Sequence, residues 1–335
     1  MTKFNKKIIV LLLTLALINV VCKSTSNKNP LTSVKVGMMF VPNVQFAPFY
    51  VAIDKGYYRD AGLDVTLDFS SQADAVQLLG LGRFDFVVGD GEQVIIARDK
   101  GLPVVNVMNM YARYPLGIAS LPETKIELPQ DLQSKRIGIP EYYGASFIGL
   151  KAFLQTCGLG DSDVDIIAIG YTQAVSLSQK RLDAAVVYLN NTPVQFQASG
   201  DSLRVIPFYK YVSLVSAGLL TNDKTVENKP EVVQRFVAAT LEAMEFVEKF
   251  PDDALDICLQ HIQEGKATRL TQRLVLEATI KLYRSDYTKL HGLGMSDPDA
   301  WQQTQQVLQS LGIVSKNLDI HSCYTNHFVT SAISE

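Results

Sequence analysis

Polar and aromatic residues gather in short loops that each follow an apolar run. In the first, residues 41–50, Asn43 and Gln45 each offer a donor and an acceptor, and Phe46 and Tyr50 offer flat apolar faces. Pro42 stiffens this loop, and Pro48 suits the first turn of a helix. The second loop, Val88-Gly89-Asp90-Gly91-Glu92-Gln93, joins a strand to a helix. Asp90 and Glu92 can each cap that helix through its free N–H groups, or accept hydrogen bonds from a ligand's hydroxyls or ring N–H groups. A helix start alone welcomes a phosphate, so two acids at this turn argue against an anionic ligand. Later loops add Tyr111, Arg113 and Tyr114, then Tyr142, then Tyr188 and Asn190. Aromatics at four strand ends predict a slot for a small planar organic solute, held by a few fixed polar groups. The competing reading has Asn43 capping a turn and the aromatics packing the interior.

Covalent chemistry finds little to work with. The four histidines, His261, His291, His321 and His327, all lie in the last quarter of the chain, none in an HExxH spacing. GxSxG, CxxC, GxGxxG and Walker-type motifs are missing, and Gly89 and Gly91 are too few for a phosphate loop. No catalytic residue, metal site or cofactor is expected, although a site assembled from distant residues stays open as an alternative.

The elements that must position these loops alternate between strand and helix. From Val34 to Pro140 short apolar runs are interleaved with helical stretches, and a second cycle runs from about Leu128 to Ile206. This texture predicts mostly parallel sheets covered on both faces. Pro230 opens a helix with Val233, Phe236, Val237, Thr240, Leu241, Met244 and Val247 on one side, and a helical tail follows. About 310 residues are long for one core and comfortable for two. The reading is two α/β lobes: residues 34–118 with 219–335 in the first and 119–218 in the second. The crossings fall near Ala119 and Gly218, and a single larger α/β domain is the alternative. Open α/β sheets bind ligands beyond the carboxyl ends of their strands, which is where the polar loops fall.

The N-terminus carries its own signal. Lys3, Lys6 and Lys7 precede a 14-residue apolar stretch from Ile8 to Val21. A spanning helix needs roughly 20 apolar residues, so residues 1–21 read as an export signal. Cys22 follows directly and suits lipid attachment, with residues 22–33 as a polar tether; the bulk of Val21 leaves ordinary cleavage as the alternative. Removing residues 1–21 takes away three lysines and no acid, shifting the net charge from −3 to −6. No basic stripe is present, so nucleic acid is not an expected partner. Cys157, Cys258 and Cys323 are an odd number and imply no disulfide scaffold.

Several stretches, taken in order, carry a family resemblance. Pro42-Asn43, Tyr50-Val51-Ala52, Lys55-Gly56-Tyr57-Tyr58, Ala61-Gly62-Leu63-Asp64-Val65, Gly101-Leu102-Pro103-Val104-Val105, Asn228-Lys229-Pro230-Glu231-Val232-Val233 and Cys323-Tyr324-Thr325-Asn326-His327-Phe328 resemble the NMT1/THI5-like group of periplasmic binding proteins. The likeness runs from about Val34 to Phe328. It implies a type II periplasmic-binding fold with a hinged cleft, working as a monomer, tethered to the membrane by its N-terminal lipid, and delivering its solute to an ABC-transporter permease. The pyrimidine-precursor branch commonly has histidines in the first loop, where this chain reads Val44-Gln45-Phe46. That loop and Gly91-Glu92-Gln93 look more like the riboflavin-binding branch, whose ligand's ribityl hydroxyls would use Asn190, Asp90 or Glu92; a thiamine pyrimidine precursor or thiamine-like compound is the alternative ligand. Riboflavin would then be cargo, not cofactor. The related pyrimidine synthases use a cysteine-rich motif that this chain lacks.

Overall fold

A computed structural model describes residues 30–70, 74–262 and 268–334. Export signal, Cys22 and most of the tether lie outside the described residues. The folded unit is Thr32–Glu335.

Ten strands build two five-stranded sheets. They are β1 (Thr32–Met38), β2 (Leu63–Asp68), β3 (Phe86–Asp90), β4 (Val104–Asn109), β5 (Leu116–Ser120), β6 (Arg136–Ile139), β7 (Asp165–Ala168), β8 (Ala184–Tyr188), β9 (Arg204–Pro207) and β10 (Ala217–Asn222). The first sheet runs β2-β1-β3-β10-β4 and the second β7-β6-β8-β5-β9. In each, the edge and first two inner strands are parallel. The fourth strand is antiparallel to both neighbours. That fourth strand is in each case the one entering from the other lobe: β5 follows β4, and β10 follows β9.

Two boundaries differ from the sequence reading. Ile118 pairs with Val186 and Ile206 in the second sheet, so the first crossing is residues 110–115, ahead of Ala119. The apolar run Leu116–Ser120 gives no hint that it has already changed sheets. Thr32 and Ser33 pair with Leu63 and Asp64, so they begin β1 instead of ending the tether. The return crossing, residues 208–216, leads into β10.

Packing follows the apolar pattern. The helix Pro230–Lys249 buries Val233, Phe236, Val237, Thr240, Leu241, Met244 and Val247, the side expected from their spacing. That side covers one face of the first sheet together with helices Ala47–Asp54 and Pro251–His261. Trp301, on helix Pro298–Ser310, sits in the cluster on the other face. The second sheet is likewise packed on both faces. Beyond β10, among the described residues, the tail adds only helices and a single bridge from Tyr324 to Asn106.

The tail also braces both crossings. Leu282 O accepts from Ala112 N at 2.8 Å and from Arg113 N at 3.1 Å. Thr304 Oγ1 accepts from Val215 N at 2.9 Å. The crossings touch one another through Ala217 O, which accepts from Met110 N at 2.9 Å and Tyr111 N at 3.1 Å.

Candidate functional site

Strand β3 ends at Asp90, and Gly91 begins the helix Gly91–Asp99. Asp90 stands at the N-cap with extended backbone, yet its side chain makes no capping hydrogen bond. The carboxyl is therefore not consumed by the helix start, the use the structural reading gave it. Gly91 N donates to Ser216 O at 3.0 Å, which seats the return crossing on this turn. A side chain on Gly91 would run into Val215.

Glu92 is 2% exposed, and its Oε2 has no hydrogen-bond partner. Neither Glu92 nor Asp90 has an ion-pair partner among the described residues. Burial holds the Glu92 carboxyl well above the usual range, and neighbouring Asp90 adds to the effect. Burial pushes Asp90 up to about 6. Asp90 keeps some solvent exposure, so it is the member of the pair that ionises first.

Residues of the second lobe and the first crossing face this pair. Tyr188, at the end of β8, feels burial first and then the charges of Asp90 and Glu92, and its hydroxyl is raised well above the ordinary value. Tyr111 and Tyr114 are raised for the same two reasons, burial followed by nearby acid. Asn190 is buried; its amide nitrogen donates to Thr279 Oγ1 at 3.0 Å, linking the second lobe to helix Arg269–Ile280 of the tail. The same amide lies against the Tyr111 hydroxyl, while Asn190 Oδ1 makes no directed hydrogen bond. Ser216 Oγ is a third buried atom without a partner.

Asp90, Glu92, Tyr111, Tyr114, Tyr188 and Asn190 thus come together between the lobes. Tyr114 is the most structural of them: its hydroxyl donates to Ala145 O at 2.8 Å, and its ring fills the space beside Gly149. The Arg113 guanidinium lies 5.1 Å from the Tyr209 ring centroid. Both residues line a cavity of about 390 Å³ with Tyr111, Tyr114, Ser216 and Ser285–Thr288.

The first loop divides differently. Asn43 Oδ1 accepts from Gln45 N at 3.1 Å, a local turn cap, and Gln45 is half-buried. Phe46 is buried, with its ring 6.1 Å from that of Phe69 at the end of β2. Tyr50 is buried and stacks on His261 at 4.7 Å between centroids, and its hydroxyl has no partner. Tyr142 stands apart from the buried cluster: it is 57% exposed and its hydroxyl donates to Ile166 O at 3.0 Å.

The chain matches a family profile described as NMT1/THI5 like over residues 43–254. The chain belongs to the NMT1/THI5-like family. A riboflavin-binding protein, RibY, from Chloroflexus aurantiacus is 32% identical over 89% of this chain and 86% of its own length. A formylaminopyrimidine-binding protein from Halalkalibacterium halodurans is 28% identical over 90% of this chain and 92% of its own. The periplasmic aliphatic sulphonate binding protein SsuA from Escherichia coli superposes with a TM-score of 0.70 at 13% identity, covering 89% of this chain and 99% of that one. That likeness carries the type II periplasmic-binding fold. The relatives named above are solute-binding proteins. Among the described residues no group of His, Cys, Asp or Glu is placed to hold a metal ion. Cys157, Cys258 and Cys323 are free thiols, and burial pushes Cys258 up to about 12.

Several residues of the NMT1/THI5-like site escaped the sequence reading. Tyr283 is buried, its ring 6.2 Å from that of Tyr111 and its hydroxyl unpartnered. Thr279 and Ser216 are the others. None of the three directly follows a strand: the tail supplies Tyr283 and Thr279, and the return crossing supplies Ser216. Tyr171 was likewise passed over; it is exposed beyond β7 and close enough to Tyr188 to raise its hydroxyl.

Proposed function

We propose that the protein captures riboflavin between its lobes and hands it to a membrane permease. The observation that carries this reading is the set of buried, unpartnered atoms Glu92 Oε2, Ser216 Oγ and Asn190 Oδ1, contributed by both lobes and the return crossing and flanked by Tyr111, Tyr188 and Tyr283. Buried polar atoms without partners are rare in native proteins and costly when they occur, so a ligand with several hydroxyls and ring heteroatoms matches them. The tyrosine faces suit a flat heterocycle. A relative named for riboflavin binding, 32% identical, supports the same choice. A pyrimidine-precursor ligand is the second reading, and the formylaminopyrimidine-binding relative favours it. Closure follows from stronger binding to the closed arrangement, a population shift that needs no chemistry on the solute.

Titration of the purified protein into riboflavin is expected to quench flavin fluorescence saturably, with one site per chain. Formylaminopyrimidine, followed by calorimetry, is expected to bind more weakly. Saturable binding of the pyrimidine with no flavin quenching would replace the first reading by the second, and no response to either would end both.

We further propose that Cys22 carries the lipid anchor, in keeping with the membrane-face location of this family. Two or more acyl chains hold a protein stably at a bilayer. Cys22→Ala is expected to move the protein from the membrane fraction to the soluble fraction on cell fractionation; an unchanged membrane fraction would refute the anchor.

A further inference from the structure

We infer that the Asp90–Glu92 floor selects ligands that are uncharged at the end it receives, so that the protein takes a free polyol or alcohol and rejects its phosphate ester. The inference rests on the proposed ligand reading and adds to it a substrate class.

Three observations support it. First, the floor lies at the start of helix Gly91–Asp99, where free N–H groups and the helix dipole would otherwise favour a phosphate. The chain places two carboxyls there instead. Second, no basic group offsets them. Asp90 responds to burial, Glu92 to burial and then to Asp90, and no lysine or arginine is among the causes of either shift. Arg98, on the same helix, is engaged by Asp223 and donates to Val104 O at 2.7 Å. Arg113 lines a cavity with Tyr111, Tyr114 and Ser216, but its guanidinium is held over the Tyr209 ring. The other titratable groups facing the pair are Tyr111, Tyr114 and Tyr188, all held neutral by burial and by the acids themselves. Third, the unpartnered Glu92 Oε2, Asn190 Oδ1 and Ser216 Oγ are each on side chains at least 97% buried. Hydroxyls satisfy such atoms, because each hydroxyl both donates and accepts. A phosphate dianion only accepts, and Asp90 would repel it.

The chemistry assigns roles within the pair. Asp90, ionised near neutral pH, accepts from a ligand hydroxyl. Glu92, which burial and Asp90 push toward the acid form, is able to donate through its carboxyl O–H. At neutral pH the floor therefore carries about one negative charge. Each negative charge of a phosphate about 6 Å from that charge, at an effective dielectric near 20, is disfavoured by about a hundredfold, so a hundredfold is the lower bound for the dianion.

The test titrates two pairs of compounds into the mature protein at pH 7.5: riboflavin with its 5′-phosphate, and hydroxymethylpyrimidine with its phosphate. In whichever pair binds, the neutral member is expected to bind at least about a hundredfold more tightly. In Asp90→Asn, with the double change Asp90→Asn/Glu92→Gln as a second variant, the ratio between neutral and phosphorylated ligand is expected to fall at least about tenfold. Equal binding of a neutral compound and its phosphate by the unaltered protein overturns this inference alone. A ratio unmoved by both variants overturns the part given to the acids. No binding by any of the four compounds overturns this inference together with the ligand reading.

Discussion

Gly91→Ala is expected to lower unfolding stability by about 2 kcal/mol and to weaken ligand binding more than tenfold, because overpacking a tight junction costs roughly 1–3 kcal/mol and displaces its neighbours. A Cβ at this position would meet three atoms of the Val215 side chain, with Cγ1 at 2.7 Å. Val215 lies on the return crossing, beside Ser216, and is itself fixed by its N–H bond to Thr304 Oγ1. The added methyl must therefore push either the helix start or the crossing out of place. Both carry site atoms: Asp90 and Glu92 on one side, Ser216 on the other. Urea melts monitored by circular dichroism give the stability term, and flavin quenching gives the binding term. Pairing the change with Val215→Ala is expected to restore most of both, since the clash is with that side chain. Wild-type stability and affinity in Gly91→Ala alone would refute the tight junction described between the crossing and the floor.

Phe236→Ala is expected to cost about 3–5 kcal/mol of stability, the range for emptying a large buried aromatic site. Phe236 is fully buried on helix Pro230–Lys249. Its ring centroid lies 4.3 Å from that of Phe86, 5.0 Å from Tyr58 and 6.5 Å from Phe49. The three neighbours come from β3, from the short helix Tyr57–Asp60 and from helix Ala47–Asp54, so the cavity would be shared by elements that cannot all collapse into it. Phe236→Leu retains most of the volume and is expected to lose less than half as much. Chemical denaturation of the two variants checks the ordering. A Phe236→Ala protein within about 1 kcal/mol of the parent would mean that the helix packs on the sheet by another side.

Much of this architecture is legible in the residues because burial follows period. The spacing of Val233, Phe236, Val237 and Met244 names a helix face, and the structure buries that face. Asp90 and Glu92 were readable as more than helix-capping residues because two acids at a helix start next to glycines are an unusual choice, and the structure leaves the Asp90 side chain uncapped. Tyr188 ends an apolar strand and Asn190 follows it, and the structure brings Tyr188 near the acids and Asn190 near Tyr111. Tyr142 shows the limit of that rule. It too follows a strand, but its hydroxyl is taken by Ile166 O on the neighbouring edge strand, and nothing in the local sequence distinguishes that use from a ligand contact. Tyr283, Thr279 and Ser216 mark the opposite limit. Their roles come from how the tail folds back on the crossings, a long-range pairing that local pattern does not encode.

The antiparallel fourth strands have a consequence for biosynthesis. β4 and β10 lie side by side, Asn109 opposite Gly218, and amount to a hairpin whose turn has been replaced by residues 110–216. The second sheet is complete within that stretch, since β5 to β9 are contiguous in the chain. Emerging from a ribosome, the inserted lobe has all its strands while the outer lobe still lacks an interior one. Its sheet must wait, with β3 and β4 unpaired on their facing edges, until residues 217–222 arrive to join them.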